Sequence, residues 1–180
     1  MRKICFVLII VTLFVTSMAY AAPIQPGMDF PEIPLEGKLT ETQKQYLALK
    51  GNGPWKISDI DAEYLLVEVY SMYCPHCQRE APTVNTLFER LKKGSGKQVK
   101  LIGLAAGNTE FEIDFFKEKF NVEFPIFADP ELDLHDKVGQ PGTPHFFLLQ
   151  NDGGKYKVLL SHEGPFESTE KFMQTINNKL

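Results

Sequence analysis

Residues 64–77 read Tyr64-Leu65-Leu66-Val67-Glu68-Val69-Tyr70-Ser71-Met72-Tyr73-Cys74-Pro75-His76-Cys77, an apolar run that passes within three residues into a Cys-x-x-Cys pair. Tyr64 to Tyr70 is short and apolar at nearly every position, the pattern of a central strand covered on both faces. From Cys74 to about Lys93 the spacing turns helical, with Leu87 and Leu91 four apart and Gly94 as the stop. Pro82 falls inside that helix, where a kink is expected. The cysteines therefore sit where a buried strand hands over to a helix.

That placement has chemical consequences. A sulfur at a helix N-terminus faces unpaired backbone N–H groups and the positive end of the helix dipole, both of which favour thiolate. Thiolate is the attacking species in disulfide exchange. Cys74 is the expected nucleophile, and Cys77, one turn further along, the resolving thiol. His76, when protonated, would add positive charge beside them. A structural disulfide across so small a loop would stabilise little. A zinc site wants four ligands, usually from two such pairs, whereas here one pair stands with scattered His135, His145 and His162. No metal and no bound cofactor is expected beyond the redox-active disulfide of Cys74 and Cys77.

Outward from this centre the chain alternates strands and helices. Upstream, Thr40 with Gln43 forms a capping box for a helix Glu41 to Leu49, Gly51 to Pro54 breaks the chain, and Lys56 to Ser58 reads as a short strand. Downstream, Val99 to Ala105 is a second buried strand. Thr109 with Glu112 opens a helix whose Phe111, Phe115, Phe116 and Phe120 gather toward one side. Both that helix and Trp55 read as core rather than substrate groove. Phe124 to Ala128 is a strand, Glu131 to Val138 a helix and His145 to Leu149 a strand. Asn151-Asp152-Gly153-Gly154 signals a hairpin into Tyr156 to Ser161, and Ser168 caps a last helix. The fold class is α/β, with helices flanking a mixed sheet.

The chain has 180 residues, 43 % hydrophobic and 12 % aromatic, enough for one domain with a real core. A net charge of −4 without any Lys/Arg block argues against nucleic acid or an anionic membrane surface as the main partner. Residues 1–21 have the form of a cleaved signal peptide: Arg2 and Lys3, an apolar run from Ile4 to Val15, and the small-residue pattern Ala19-Tyr20-Ala21. The run is shorter than the ~20 residues a spanning helix needs, so an uncleaved anchor is the lesser alternative. Removing it takes away Cys5 and leaves residues 22–180 as the domain, with one Cys-x-x-Cys pair. Export to a periplasmic or other extracytoplasmic compartment ordinarily brings disulfides that join distant segments. A lone close pair needs another reason, and redox chemistry supplies one.

The strand entering Cys74 is similar to the one that leads into the thioredoxin active site, and Thr143-Pro144 resembles the cis-proline loop of that fold. Cys77-Gln78-Arg79-Glu80-Ala81-Pro82 resembles the start of the active-site helix in exported TlpA/ResA-like oxidoreductases. The Cys-Pro-His-Cys tetrapeptide is the one found in DsbA-like oxidases, but only 66 residues separate Cys77 from Pro144, too few for the helical insertion of DsbA. The surplus over plain thioredoxin, around Thr109 to Asp129, fits a helix–strand insertion before the cis-proline loop.

The resemblance implies roles for further residues. Pro144, in cis, would present the Thr143 backbone to an extended substrate peptide; an ordinary turn proline is the alternative. Glu68, six residues before Cys74, stands where relatives carry a buried acid, and desolvation would raise its pKa and make it a proton acceptor for Cys77. A strand-end residue facing solvent or a lysine is the competing reading. Glu80 matches the helix acid of the TlpA/ResA group, against an exposed surface glutamate. Tyr73 should pack beside the site with Pro75, and His145 either lies near the sulfurs or is turned away by strand alternation.

The function these readings imply is dithiol–disulfide exchange with protein substrates, apocytochromes among the candidates, in the reducing direction. A membrane redox partner would exchange electrons with a monomeric enzyme. A peroxiredoxin-like thiol peroxidase is a second class: Ser71 has a suitable offset, but Val67 stands where a proline is needed. A non-enzymatic copper-carrying module using Cys74, Cys77 and a histidine is the third.

Overall fold

A computed structural model describes residues 22–94 and 97–180. The signal-peptide reading of residues 1–21, with Cys5, lies outside them. Thirteen elements follow one another among the described residues. They are β1 (Pro34–Leu35), α1 (Glu41–Leu47), β2 (Trp55–Lys56), a short 3-10 turn (Ile57–Asp59), β3 (Tyr64–Tyr70), α2 (Pro75–Lys93), β4 (Val99–Ala106), α3 (Glu110–Phe120), β5 (Ile126–Asp129), α4 (Asp133–Lys137), β6 (His145–Asp152), β7 (Lys155–Glu163) and α5 (Thr169–Asn177).

The main sheet runs β5-β4-β3-β6-β7. Strands β3, β4 and β5 are parallel neighbours, whereas β6 pairs antiparallel to β3 and β7 antiparallel to β6. Strand β3 lies at the centre, and all seven of its residues are buried. Alternation divides its side chains between two cores. Leu65, Val67 and Val69 join Ile102, Leu104, Phe147 and Leu149 under a layer supplied by the N-terminal segment and α4, including Ile33, Leu47, Trp55 and Val138. Leu66 and Tyr70 join Phe146 and Leu148 under α2, α3 and α5, through Val84, Leu87, Phe116 and Phe172. Glu68 shares the parity of Leu66 and Tyr70, so it points toward α2.

Several element ends depart from the sequence reading, each for a local reason. Asp59 accepts the Lys56 N–H at 2.8 Å and winds 57–59 into a turn, so the expected strand over 56–58 stops after Lys56. Helix α1 keeps its Thr40/Gln43 capping box but ends at Leu47, because Ala48 adopts a left-handed conformation at φ 59°. Helix α4 starts at Asp133 rather than Glu131: the Asp129 carboxylate at the end of β5 accepts the N–H groups of Leu134 and His135 at 2.9 and 2.8 Å. Strand β5 begins at Ile126, two residues later than expected, and β6 and β7 each extend into the hairpin turn at Gly153-Gly154.

The phenylalanines of α3 do not share one side. Phe116 is buried and Phe120 half-buried, while Phe111 is 80 % exposed and Phe115 49 %. Residues 111 and 115 are four apart and so form their own stripe, rotated about a hundred degrees from the 116/120 stripe. Only half of the aromatic helix is core.

Ala48 carries a strained backbone without buried contacts, since its side chain is exposed. Left-handed backbone costs a non-glycine residue about 1–2 kcal/mol, part of which glycine returns through its freer unfolded chain. Ala48→Gly should therefore stabilise the fold by about 0.5–1 kcal/mol, read as a rise in urea midpoint at constant m-value. A fall would show that the position is not left-handed in solution.

Candidate active site

The loop Ser71-Met72-Tyr73 carries the chain from the C-terminal end of β3 to α2, and it is held on both sides of one residue, Met72. The Met72 N–H donates to the buried Asn108 side chain at 2.8 Å, and the Gln78 side chain donates to the Met72 carbonyl at 2.6 Å. Asn108 is completely inaccessible and belongs to the β4–α3 loop. Its position between Gly107 and the Thr109 capping box marks a loop polar residue in the sequence but gives no hint of its partner.

Cys74 is the N-cap of α2, and Pro75 occupies the first helical position, where its missing N–H costs nothing. The Cys74 sulfur accepts the Cys77 N–H at 3.4 Å, and its thiol donates to the Thr143 carbonyl at 3.2 Å. Partial burial pushes the Cys74 pKa up, but hydrogen bonding from the Thr143 side chain and from the backbone of Cys77 and His76 outweighs it and leaves the thiol below its ordinary range. On ionisation the carbonyl loses its partner while the N–H groups gain strength, so the helix terminus is what sustains the thiolate.

Cys77 is 1 % exposed. Burial drives its pKa well above the ordinary thiol range, and the Cys74 sulfur and the charge of Glu68 raise it further. Both cysteines are free thiols in this structure. One helical turn thus separates an activated sulfur from a suppressed one.

Beneath them lie two carboxyls. Glu68, 4 % exposed, is pushed up to about 8 by burial and then by the charge of Glu80. The solvent-facing or lysine-paired reading of Glu68 is thereby set aside. Glu80, 5 % exposed, accepts the Phe166 N–H at 2.9 Å through one oxygen and leaves the other without a partner. Burial raises its pKa against the lowering effect of that bond. Glu80 faces inward, so an exposed surface role is excluded. Tyr70, also buried with an unpartnered hydroxyl, borders the same group and is raised by burial and by the charges of Glu68 and Cys77.

The Thr143–Pro144 bond is cis, and Thr143 meets Cys74 across the site. A second cis bond, Gly53–Pro54, lies upstream and has no part in the site. His76 is exposed and its Nδ1 contacts the Arg79 guanidinium at 2.9 Å. Tyr73 borders the site but is 63 % exposed, its hydroxyl bonded to Glu112 rather than packed inward. His145 shares the parity of Phe147 and Leu149, on the sheet face opposite α2. Its Nε2 meets the Ser161 hydroxyl at 2.8 Å, and burial, with His162 nearby, lowers its pKa to about 4. Strand alternation turns His145 away from the sulfurs, so it is no third ligand beside them.

The AhpC/TSA family profile matches residues 31–157, from β1's approach to the start of β7. The chain belongs to the AhpC/TSA family. This AhpC/TSA member is also 26 % identical, over 67 % of its length, to the thiol-disulfide oxidoreductase ResA of Halalkalibacterium halodurans; the match spans 66 % of that relative. Among solved structures, a Chlorobium tepidum protein assigned as thiol:disulfide interchange protein DsbE superposes with a TM-score of 0.67 at 22 % identity, over 87 % of this chain and 98 % of that one. StoA from Bacillus subtilis gives 0.59 at 16 % identity, over 83 % and 98 %. The fold of this family member is thioredoxin-like, as the strand-to-helix junction and the cis-proline loop imply.

Two measurements probe the electrostatics. In a Cys77→Ser variant, alkylation of Cys74 by iodoacetamide should rise with pH through a midpoint below the ~8.5 of a free thiol; a higher midpoint would mean the helix terminus is not acting on the sulfur. Glu68 binds its proton more tightly folded than unfolded, so between about 4.5 and about 8 the folded state holds more protons and stability falls as pH rises. One such group contributes at most about 1.4 kcal/mol per pH unit. Urea titrations should show this slope in the parent and a flatter one in Glu68→Gln.

Proposed function

We propose that this chain is a thiol–disulfide oxidoreductase of the extracytoplasmic space, exchanging the Cys74–Cys77 dithiol with disulfides of protein substrates and working in the reducing direction. The observation that carries this reading is the contrast between the two sulfurs: Cys74 is accessible at a helix N-terminus with a lowered pKa, and Cys77 is buried with a raised one. The similarity to ResA, a thiol-disulfide oxidoreductase, and to the DsbE-type thiol:disulfide interchange protein supports it.

The chemistry follows from the geometry. Cys74 thiolate attacks one sulfur of a substrate disulfide, forming a mixed disulfide, while the other substrate sulfur leaves as thiolate and takes a proton from water. Cys77 must then lose its proton to attack Cys74, and Glu68, the buried carboxyl whose charge it feels when ionised, is the base of the same pocket, its ionised fraction growing as pH approaches about 8. That attack closes the Cys74–Cys77 disulfide and releases the second substrate thiol, so two electrons pass from enzyme to substrate. No bound cofactor is needed, the cysteine pair itself being the redox group. A membrane partner would return the electrons, and a monomer suffices because every group named belongs to one chain.

Electron flow depends on charge balance. The helix terminus stabilises the Cys74 thiolate, which favours the reduced state and makes the disulfide a stronger oxidant. Burial of Cys77, and the charge of Glu68 where that carboxyl is ionised, oppose thiolate and make the dithiol the better donor. The depth of Cys77 supports reduction. Residues 1–21 as a signal peptide and 22–180 as the domain complete the proposal, and among the described residues no helix is long and apolar enough to cross a membrane.

Titration against glutathione should place the potential nearer the ~−270 mV of thioredoxin than the ~−120 mV of DsbA. Cys77→Ser should trap substrate proteins through Cys74 as mixed disulfides that dithiothreitol releases. A potential near DsbA's would reverse the direction. Absence of insulin reduction and of trapped species, with rapid consumption of hydrogen peroxide, would replace the reading with a thiol peroxidase.

A further inference from the structure

Five large apolar side chains are exposed among the described residues: Met28, Tyr73, Phe111, Phe115 and Leu132. Three of them line a single groove. Tyr73, Phe111 and Phe115 enclose it, with Met72 and the rim residues Thr109 and Glu112 completing the walls, around a cavity of about 370 Å³. Exposing that much aromatic surface in one place works against solubility, and clustered exposure of this kind marks an interaction site more often than scattered exposure does. The 111/115 stripe adds nothing to the core, which α3 already reaches through Ile113 and Phe116.

The groove begins at the residue before Cys74. Tyr73 crosses from the active-site loop to α3, where its hydroxyl bonds Glu112, and that carboxylate is itself the capping-box partner of Thr109, whose N–H donates to it at 2.7 Å. The wall nearest the sulfur is thus tied to the α3 N-terminus, while Asn108, adjacent in sequence, fixes Met72 from below. Both walls are held relative to Cys74. A side chain lying in this groove would be one or two residues from a sulfur presented to Cys74.

From this continuity we infer that the groove is a specificity subsite for substrate proteins, receiving an apolar or aromatic side chain that flanks the target cysteine in an extended segment. The inference rests on the exchange activity proposed above. It names what that site selects: disulfides whose cysteine has a large apolar neighbour, over those with polar neighbours. Burying a leucine or phenylalanine side chain in a contact made in the transition state raises kcat/KM about ten- to a hundredfold.

The test uses two synthetic peptide disulfides, identical except for Phe or Ser two residues from the reacting cysteine, with 5,5'-dithiobis(2-nitrobenzoate) as a small disulfide lacking any flanking residue. The full mature chain should reduce the Phe peptide at least tenfold more efficiently than the Ser peptide. In Phe111→Ser/Phe115→Ser, both substitutions being at exposed positions, that ratio should fall toward one. Because the preference is a ratio within each enzyme, a general loss of folding or activity does not mimic it. Equal kcat/KM for the two peptides in the parent overturns the inference while leaving the exchange activity standing. A ratio retained in the variant overturns the assignment of the groove. Failure to reduce even the small disulfide sinks the proposed function instead. A parent that is dimeric and a variant that is monomeric by sedimentation would give the groove to a second copy of this chain and overturn the substrate reading.

Discussion

The hydrogen bond from the Cys77 N–H to the Cys74 sulfur, 3.4 Å long, is the contact on which the site turns. It exists because a helix must begin at Pro75, and a helix beginning there leaves its first N–H groups without intrahelical acceptors. An oxygen-bearing residue ordinarily fills the N-cap position. Here sulfur does, and sulfur is both a weak acceptor when neutral and a strong one when ionised. The demand of the helix for a cap is thereby converted into a bias toward thiolate. Central strand β3 makes this possible by stopping three residues short of Cys74, with the intervening loop held through Met72 by Asn108 and Gln78.

The same turn of helix that activates one sulfur suppresses the other. Cys77 faces the sheet, on the side of β3 that also carries Glu68 and Tyr70, and α2 adds Glu80 from one turn further on. Two carboxyls in one apolar pocket cannot both be ionised cheaply, and each raises the other's burden. Glu80 keeps one hydrogen bond, from the Phe166 N–H in the segment before α5, which ties the acid pair to the packing of α5 on α2. The buried acids cost stability that a leucine would not. Such a cost is intelligible when the groups move protons, because a base placed in water could not reach a sulfur that is 1 % exposed.

Much of this was legible in the residues. The seven-residue apolar run of β3, the capping boxes at Thr40 and Thr109 and the Gly153-Gly154 hairpin are short-range signals, and each reads out locally. The inward direction of Glu68 and Glu80 needed tertiary information, since a carboxyl in a strand or helix has two faces to choose between and local spacing favours neither. Asn108 was invisible for the same reason: its partner, Met72, lies 36 residues away. The misreading of α3 has a different origin. Four phenylalanines in ten residues, Phe111 to Phe120, suggest a single apolar stripe, yet they occupy two, and hydrophobicity alone cannot say which of two stripes meets the core. His145 was settled by register, Phe147 and Leu149 carrying its parity into the face away from α2.

The exposed half of α3 also bears on why this chain departs from a minimal thioredoxin-like plan. Strand β5 takes the edge of the sheet beside β4, and the helix that delivers the chain to it must cross the face that carries α2. Ile113 and Phe116 anchor that crossing, and once they are buried the positions 111 and 115 are forced outward by helix geometry, toward Met72 and Tyr73. Polar residues at those two positions would satisfy the fold equally well. Their being phenylalanine is unexplained by packing, and the place they are forced to occupy is beside the one residue that Cys74 follows in the chain. An insertion that completes the sheet therefore also builds a wall for whatever approaches the sulfur, so that edge pairing and substrate choice rest on the same eleven-residue helix.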